Sequence, residues 1–221
     1  MFLNSLDEHT SQTWLFTEPF INRDNIHEAE LKLWRHSRQR FYTDEPEIVG
    51  EENKNLVLAG LMGSGKTTVG RLVAFGLDRQ FIDTDQYLEE NYGSAQQILQ
   101  RPYGDEEFAS IEQSIALDLA HQQRLVIATG GRFCLNAESV AALSKSSIFL
   151  CLTAPLEELV ARLSNPQQST YRPRFVAAKN KLKLMQQLEK ISEPHFKSFE
   201  KIVTNQNTAE EVAEQLIQRF S

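Results

Sequence analysis

The chain has 221 residues, 41% of them hydrophobic and 24% charged, with a formal net charge of −7. That length fits one large domain or one domain with an appendage, and the composition is that of a folded globular protein rather than a disordered one. The acidic balance argues against a nucleic-acid partner, because phosphate backbones need a basic face, and no apolar run approaches the roughly 20 residues of a membrane-spanning helix.

Asp7 and Glu8 stand early in a stretch with no apolar core, so neither a secretory signal nor a transit peptide is expected. Cys134 and Cys151 are the only cysteines, too few for a disulfide scaffold, and the cytoplasm is the expected compartment. Cys151 falls in the apolar run Ile148 to Leu152 and reads as a core residue. The five histidines show no metal-ligand spacing.

Residues 1–53 read as an extension. Trp14, Phe16, Phe20, Ile21, Leu31, Leu33, Trp34 and Phe41 are too many large apolar groups for a solvated tail. Ile26 to Tyr42 suits one helix, with Arg35, Arg38 and Arg40 crowding its polar face. Two readings stay open: a layer packed on the main domain, or an arm for a protein partner or for capping a substrate. The acidic stretch from Thr43 to Asn55 carries Pro46 and Gly50 and reads as a linker.

The main domain, 54–221, begins with an apolar strand at Leu56 to Ala59. Gly60, Gly63, Gly65, Lys66 and Thr67 follow in the spacing G-x-x-x-x-G-K-T, and then a segment with helical spacing at Val69, Leu72 and Val73. Strand, glycine loop and helix form the context of a phosphate-binding loop. Glycines let successive backbone N–H groups face a polyphosphate, and the helix start adds partial positive charge. Lys66 would reach the outer phosphates and the Thr67 hydroxyl would ligate Mg²⁺.

Gln80 to Asp85 predicts a strand ending in two aspartates at the sheet's carboxyl edge, where ligands bind in open α/β folds. Asp83 and Asp85 share a face if the strand persists; alternatively, one of them caps the helix Gln86 to Tyr92. Ser94 to Gln97 has the form of a capping box. Phe108, Ile111, Ile115 and Leu119 mark an amphipathic helix from Asp105 to Gln122. Leu125 to Ala128 is a third strand, and Gly130 with Gly131 at its end allows close backbone approach to a ligand. A helix over 136–143, a fourth strand over 147–152 and a helix from Pro155 to Leu163 come next. Ser164 to Arg174 has the composition of a lid loop. A helix from about Phe175 to Ile191, a fifth strand at Ile202 to Thr204 and a helix capped by Thr208-Ala-Glu-Glu211 complete the chain. This alternation predicts an α/β fold, a parallel sheet covered on both faces.

Taken in order, Gly60 to Arg71, Phe81-Ile82-Asp83-Thr84-Asp85, Ala128-Thr129-Gly130-Gly131 and Arg172-Pro173 closely resemble shikimate kinase, over about Leu56 to Phe220. The resemblance implies a three-layer αβα P-loop kinase with a five-stranded parallel sheet and a lid, using ATP and Mg²⁺ to phosphorylate a hydroxyl of a small molecule. It implies that Gly60, Gly63, Ser64, Gly65, Lys66, Thr67 and Thr68 hold the nucleotide, with Arg162 flanking adenine. Lys66 and Arg172 would stabilise the transferring phosphoryl group. Thr67 and Asp83 would serve the metal, Asp83 through the metal's waters, and Asp85 would bond the acceptor hydroxyl and take its proton.

The acceptor half departs from the family. In the pattern F-R-x-x-E the arginine is Ala109, the third glycine of G-G-G is Arg132, and the arginine of R-x-P-x-Y is Ser192. Lys190 is two positions off and would point elsewhere on its helix. Losing two arginines from one carboxylate would cost roughly 3–6 kcal/mol, or about 10²–10⁴ in affinity. Arg132 and Arg174 would supply cations, beside Gly130, Gly131 and Asp85. The expectation is a kinase of a small, anionic hydroxyl compound other than shikimate. The alternatives are a shikimate kinase with a rearranged carboxylate grip, or a nucleotide-binding regulatory protein without kinase activity.

Overall fold

The apolar run ahead of the glycine loop lies at the centre of a five-stranded parallel sheet in the computed structural model, which describes residues 50–165 and 173–221. Strand β1 (Asn55–Ala59) is buried along its whole length, as a central strand with both faces covered requires. With β2 (Gln80–Asp83), β3 (Leu125–Ala128), β4 (Ser147–Thr153) and β5 (Glu200–Val203), the order across the sheet is β2-β3-β1-β4-β5. Leu58 is in register with Ala128, and Ala128 with Asp83, so the loop after β1 and the carboxylate ending β2 meet at one edge.

The helices are α1 (Lys66–Gly76), α2 (Thr84–Tyr92), α3 (Ala95–Leu99), α4 (Gly104–Ala120), α5 (Ala137–Ser144), α6 (Leu156–Ser164), α7 (Pro173–Ala177), α8 (Lys181–Phe196) and α9 (Ala209–Phe220). One face of the sheet, Leu56, Leu58, Val126, Leu150 and Leu152, forms a core with Val69 and Val73 of α1 and Val212 and Leu216 of α9. The pleat turns Val57, Leu125 and Ile127 the other way. On that side α4 and α5 contribute buried Ile111, Ile115, Leu119 and Leu143. Each such side chain contributes about 1.5–3 kcal/mol on burial. Asn55, itself fully buried, ties the layers together: Nδ2 donates to the Leu119 and Gln122 carbonyls, and Oδ1 accepts from the Leu125 N–H. All of its polar groups are satisfied, so burial costs little.

Three details differ from the sequence expectation. Strand β2 stops at Asp83, and Asp85 lies in the first turn of α2, so the two aspartates do not share a strand face. The Asp83 side chain ends the strand by accepting from the Asp85 and Gln86 N–H groups, an N-cap that diverts the backbone into a helix. Ser94 occupies the N-cap of α3 without a side-chain capping bond. The helix expected over 175–191 is two, α7 and α8, the second started by Asn180 accepting from the Lys183 N–H. Residues 1–49 of the expected extension and residues 166–172 of the expected lid loop lie outside the described residues. Among the described residues, no helix is long and apolar enough to cross a membrane.

Candidate active site

Gly60, Gly63 and Gly65 all have positive φ, at 136°, 82° and 96°. Gly60 shows why a side chain is excluded: a Cβ there would lie 2.4 Å from the Leu152 carbonyl oxygen, besides the strain of the left-handed backbone. Inside this loop Lys66 Nζ donates to the Gly60 and Leu61 carbonyls at 2.8 and 3.0 Å, folding the cation back over the cradle. Ser64 Oγ is buried beneath the loop with no protein hydrogen-bond partner. At the start of α1, Thr67 Oγ1 donates to Asp83 Oδ2 at 2.9 Å. Asp83 therefore divides its two oxygens: Oδ1 caps α2 while Oδ2 faces Thr67. Of the two sequence readings of Asp83 the cap is seen directly, and the second oxygen stays turned toward the glycine loop.

A cleft of about 700 Å³ opens above the loop. Gly63, Ser64, Gly65, Lys66, Thr67 and Thr68 line it, as do Asp83, Asp85, Gly131 and Arg162. The Arg162 guanidinium is held by Glu158 Oε1 at 2.7 Å and by the Thr204 carbonyl and hydroxyl at 2.7 and 3.1 Å. So fixed, it presents a flat cationic wall to the cleft. Gly130 is set behind Asp85. Its N–H donates to Thr84 Oγ1 at 2.8 Å, and a Cβ would lie 1.9 Å from Asp85 Oδ1. Arg172 and the side chain of Arg174 lie outside the described residues.

The positions that the sequence reading tied to the acceptor lie on and around α4. Ala109 is half-buried, and its carbonyl accepts from Asn136 Nδ2 at 3.1 Å. Ser192 on α8 is buried and donates to the Leu188 carbonyl of its own helix at 2.8 Å, whereas Lys190 is exposed on another face. Arg132 leaves the loop after β3 and reaches α4, where Nη1 donates to Asp105 Oδ1 at 2.9 Å and Cζ lies 5.2 Å from the Phe108 ring centroid. Glu112, three residues past Ala109, is 5% exposed. Burial pushes its carboxyl up to about 8; Arg132 draws it down and Asp85 adds to the rise. Asp105, Thr204, Thr84 and Glu112 were given no functional role by the sequence. For Glu112 a signal existed, a carboxylate inside the apolar stripe Phe108, Ile111 and Ile115. For the others there was none. Cys134 and Cys151 are buried, and burial pushes the Cys134 thiol up to about 12 and raises that of Cys151.

The cradle suits a nucleotide polyphosphate, since positive-φ glycines, an orphaned buried hydroxyl and a helix start converge on it. Thr67 and Asp83 are hard oxygen donors of the type Mg²⁺ prefers. Among the described residues no group of three His, Cys, Asp or Glu side chains could hold a metal, so this cation would complete its shell with phosphate and water.

A glycine-rich phosphate loop and two carboxylates lining one cleft are the arrangement of a P-loop kinase of small molecules. The family model for shikimate kinase matches residues 62–221. The chain belongs to the shikimate kinase family. It is 34% identical over 167 residues to the shikimate kinase of Thermodesulfovibrio yellowstonii, covering 76% of this chain and 95% of that protein. The figure is 33% over 168 residues for that of Caldanaerobacter subterraneus subsp. tengcongensis, covering 76% and 96%. A solved structure of shikimate kinase from Acinetobacter baumannii in complex with shikimate superposes with a TM-score of 0.66 at 29% identity, covering 82% of this chain and 96% of that one. The protein is a shikimate-kinase-like phosphotransferase that depends on ATP and Mg²⁺.

Proposed function

We propose that this kinase phosphorylates a hydroxyl of a small anionic metabolite other than shikimate. One observation carries the reading: the two positions where the family has carboxylate-gripping arginines hold a methyl group at Ala109 and a buried hydroxyl at Ser192, turned onto its own helix. Gly60, Gly63, Ser64, Gly65 and Thr68 wrap the polyphosphate, and Arg162 stacks beside the base. Lys66 swings from the Gly60 carbonyl to the outer phosphates, joined by Arg172 from the lid. Thr67 and Asp83, the latter through the metal's waters, would hold Mg²⁺, which would neutralise charge on the transferring group. Asp85, braced by Gly130, aligns the acceptor hydroxyl and takes its proton. Gly131, Arg132 and Arg174 line the acceptor. Residues 1–53 are an extension to the kinase domain, 54–221. Two buried thiols and a need for ATP suit the cytoplasm.

The test is ADP release by the purified full chain with Mg²⁺-ATP and a panel of hydroxy acids that includes shikimate. Transfer to another hydroxy acid is expected, reduced about 10²–10³-fold or more in Lys66→Ala. Efficient turnover of shikimate at micromolar concentration overturns the assignment. That second reading, shikimate with a rearranged grip, has one observation in its favour: the Arg132 guanidinium lies over Phe108, beside Ala109 in the helix.

A further inference from the structure

On helix α4 the positions 105, 108, 109 and 112 are spaced three and four apart and so form one continuous strip. In this chain the strip reads Asp105, Phe108, Ala109, Glu112. Its middle is short, because Ala109 offers only a methyl group. Arg132 arrives over this strip from another element. The Asn136 amide clamps its loop to the Ala109 carbonyl, the Phe108 ring lies beneath its guanidinium, and Glu112 one turn on feels its charge. The cation that α4 lacks at Ala109 is thus returned to the same strip from the β3 edge.

We propose that Asp105 is a built-in stand-in for the acceptor's anionic group: it holds Arg132 over the strip in the resting enzyme and yields it to an anionic acceptor. Three observations support the exchange. The pair is solvated, with side-chain exposures of 76% for Asp105 and 40% for Arg132, and pairs of this kind add little net stability. It is single-pronged, one Nη1 to Oδ1 contact, whereas a guanidinium has five N–H donors and binds a free carboxylate or phosphate more strongly through two at once. The ring beneath and the clamp behind stay in place when Asp105 lets go, so Arg132 keeps its position. Asp105 and Arg132 then set acceptor specificity together, Arg132 by attraction and Asp105 by competition.

The inference rests on the acceptor reading above, and its test separates the two. Shikimate serves as the anionic probe and its methyl ester as the uncharged one, titrated into the full chain with Mg²⁺ and a non-hydrolysable ATP analogue. Asp105→Asn is expected to tighten shikimate about fivefold and leave the ester unchanged. Arg132→Gln is expected to weaken shikimate about tenfold or more, with Arg132→Gly as a second variant should the first fold poorly. Affinity for the ATP analogue stays constant in all three. Asp105→Asn leaving shikimate unmoved or weaker, an ester shift equal to that of the acid, or no shikimate binding in either wild type or Asp105→Asn overturns the inference. Efficient shikimate turnover by wild type with the expected Asp105→Asn gain would instead sink only the non-shikimate assignment.

Discussion

Gly130 concentrates the site's tolerance into one atom. Any side chain there would collide with the Asp85 carboxylate, which is 1.9 Å from the position of its Cβ. Gly130→Ala should push Asp85 off the acceptor hydroxyl and lower kcat about 10²-fold while the KM for ATP holds; an unchanged kcat would show that Asp85 does not need this wall. Glu112 supplies a pH signature. Its folded carboxyl sits at about 8 against an ordinary 4.5. Between those values the folded protein keeps a proton that the unfolded chain has released, so the unfolding free energy falls as pH rises through this window. Wild type should therefore lose stability relative to Glu112→Gln from about pH 4.5 to about 8, measured by urea titration across pH; parallel curves would refute the buried assignment. The phosphate loop was readable residue by residue because its ligands are consecutive. Glu112 showed only as a carboxylate inside an apolar stripe, because its raised carboxyl depends first on burial by the packed layers and then on Arg132 and Asp85, 20 and 27 positions away in the sequence.

Helix starts show how far local chemistry reaches. Thr208 and Ser94 open sequences of similar form, yet only Thr208 makes the reciprocal pair, its side chain accepting from the Glu211 N–H and Glu211 Oε2 accepting from the Thr208 N–H. Helix α9 has 12 residues and an apolar side sunk into the core, so the cap is held to a fixed register; α3 has five residues. Thr208→Ala should cost about 1 kcal/mol in chemical denaturation, and Ser94→Ala under about 0.5 kcal/mol. Equal losses would mean that the bonds seen at Thr208 add nothing. The same local logic explains the differences along the chain. Asp83 and Asn180 both begin a helix by capping, which overrides the simple continuation that apolar periodicity suggests.

At the scale of the molecule, the cleft joins the loop after β1, the end of β2, α6 and the residues after β5. A ligand that bridges these elements binds only the folded chain. Mg²⁺ with a non-hydrolysable ATP analogue at 100 times its Kd should stabilise the protein by about 2.7 kcal/mol, seen as a rise in Tm. Chelating Mg²⁺ or introducing Lys66→Ala should remove most of that rise. A Tm indifferent to nucleotide would contradict the site.

By itself the sequence determined the alternation of strand and helix, the glycine loop and the carboxylate that ends the second strand, because each depends on spacings of a few residues whose geometry the backbone dictates. It also disclosed that the arginines expected at Ala109 and Ser192 are missing. Only the tertiary structure decided what stands in that space. Asp85, Gly130, Arg132, Asp105 and Glu112 come from three separate segments, and their charges acquire meaning only when the packing of α4 against the β3 edge brings them within reach of one another.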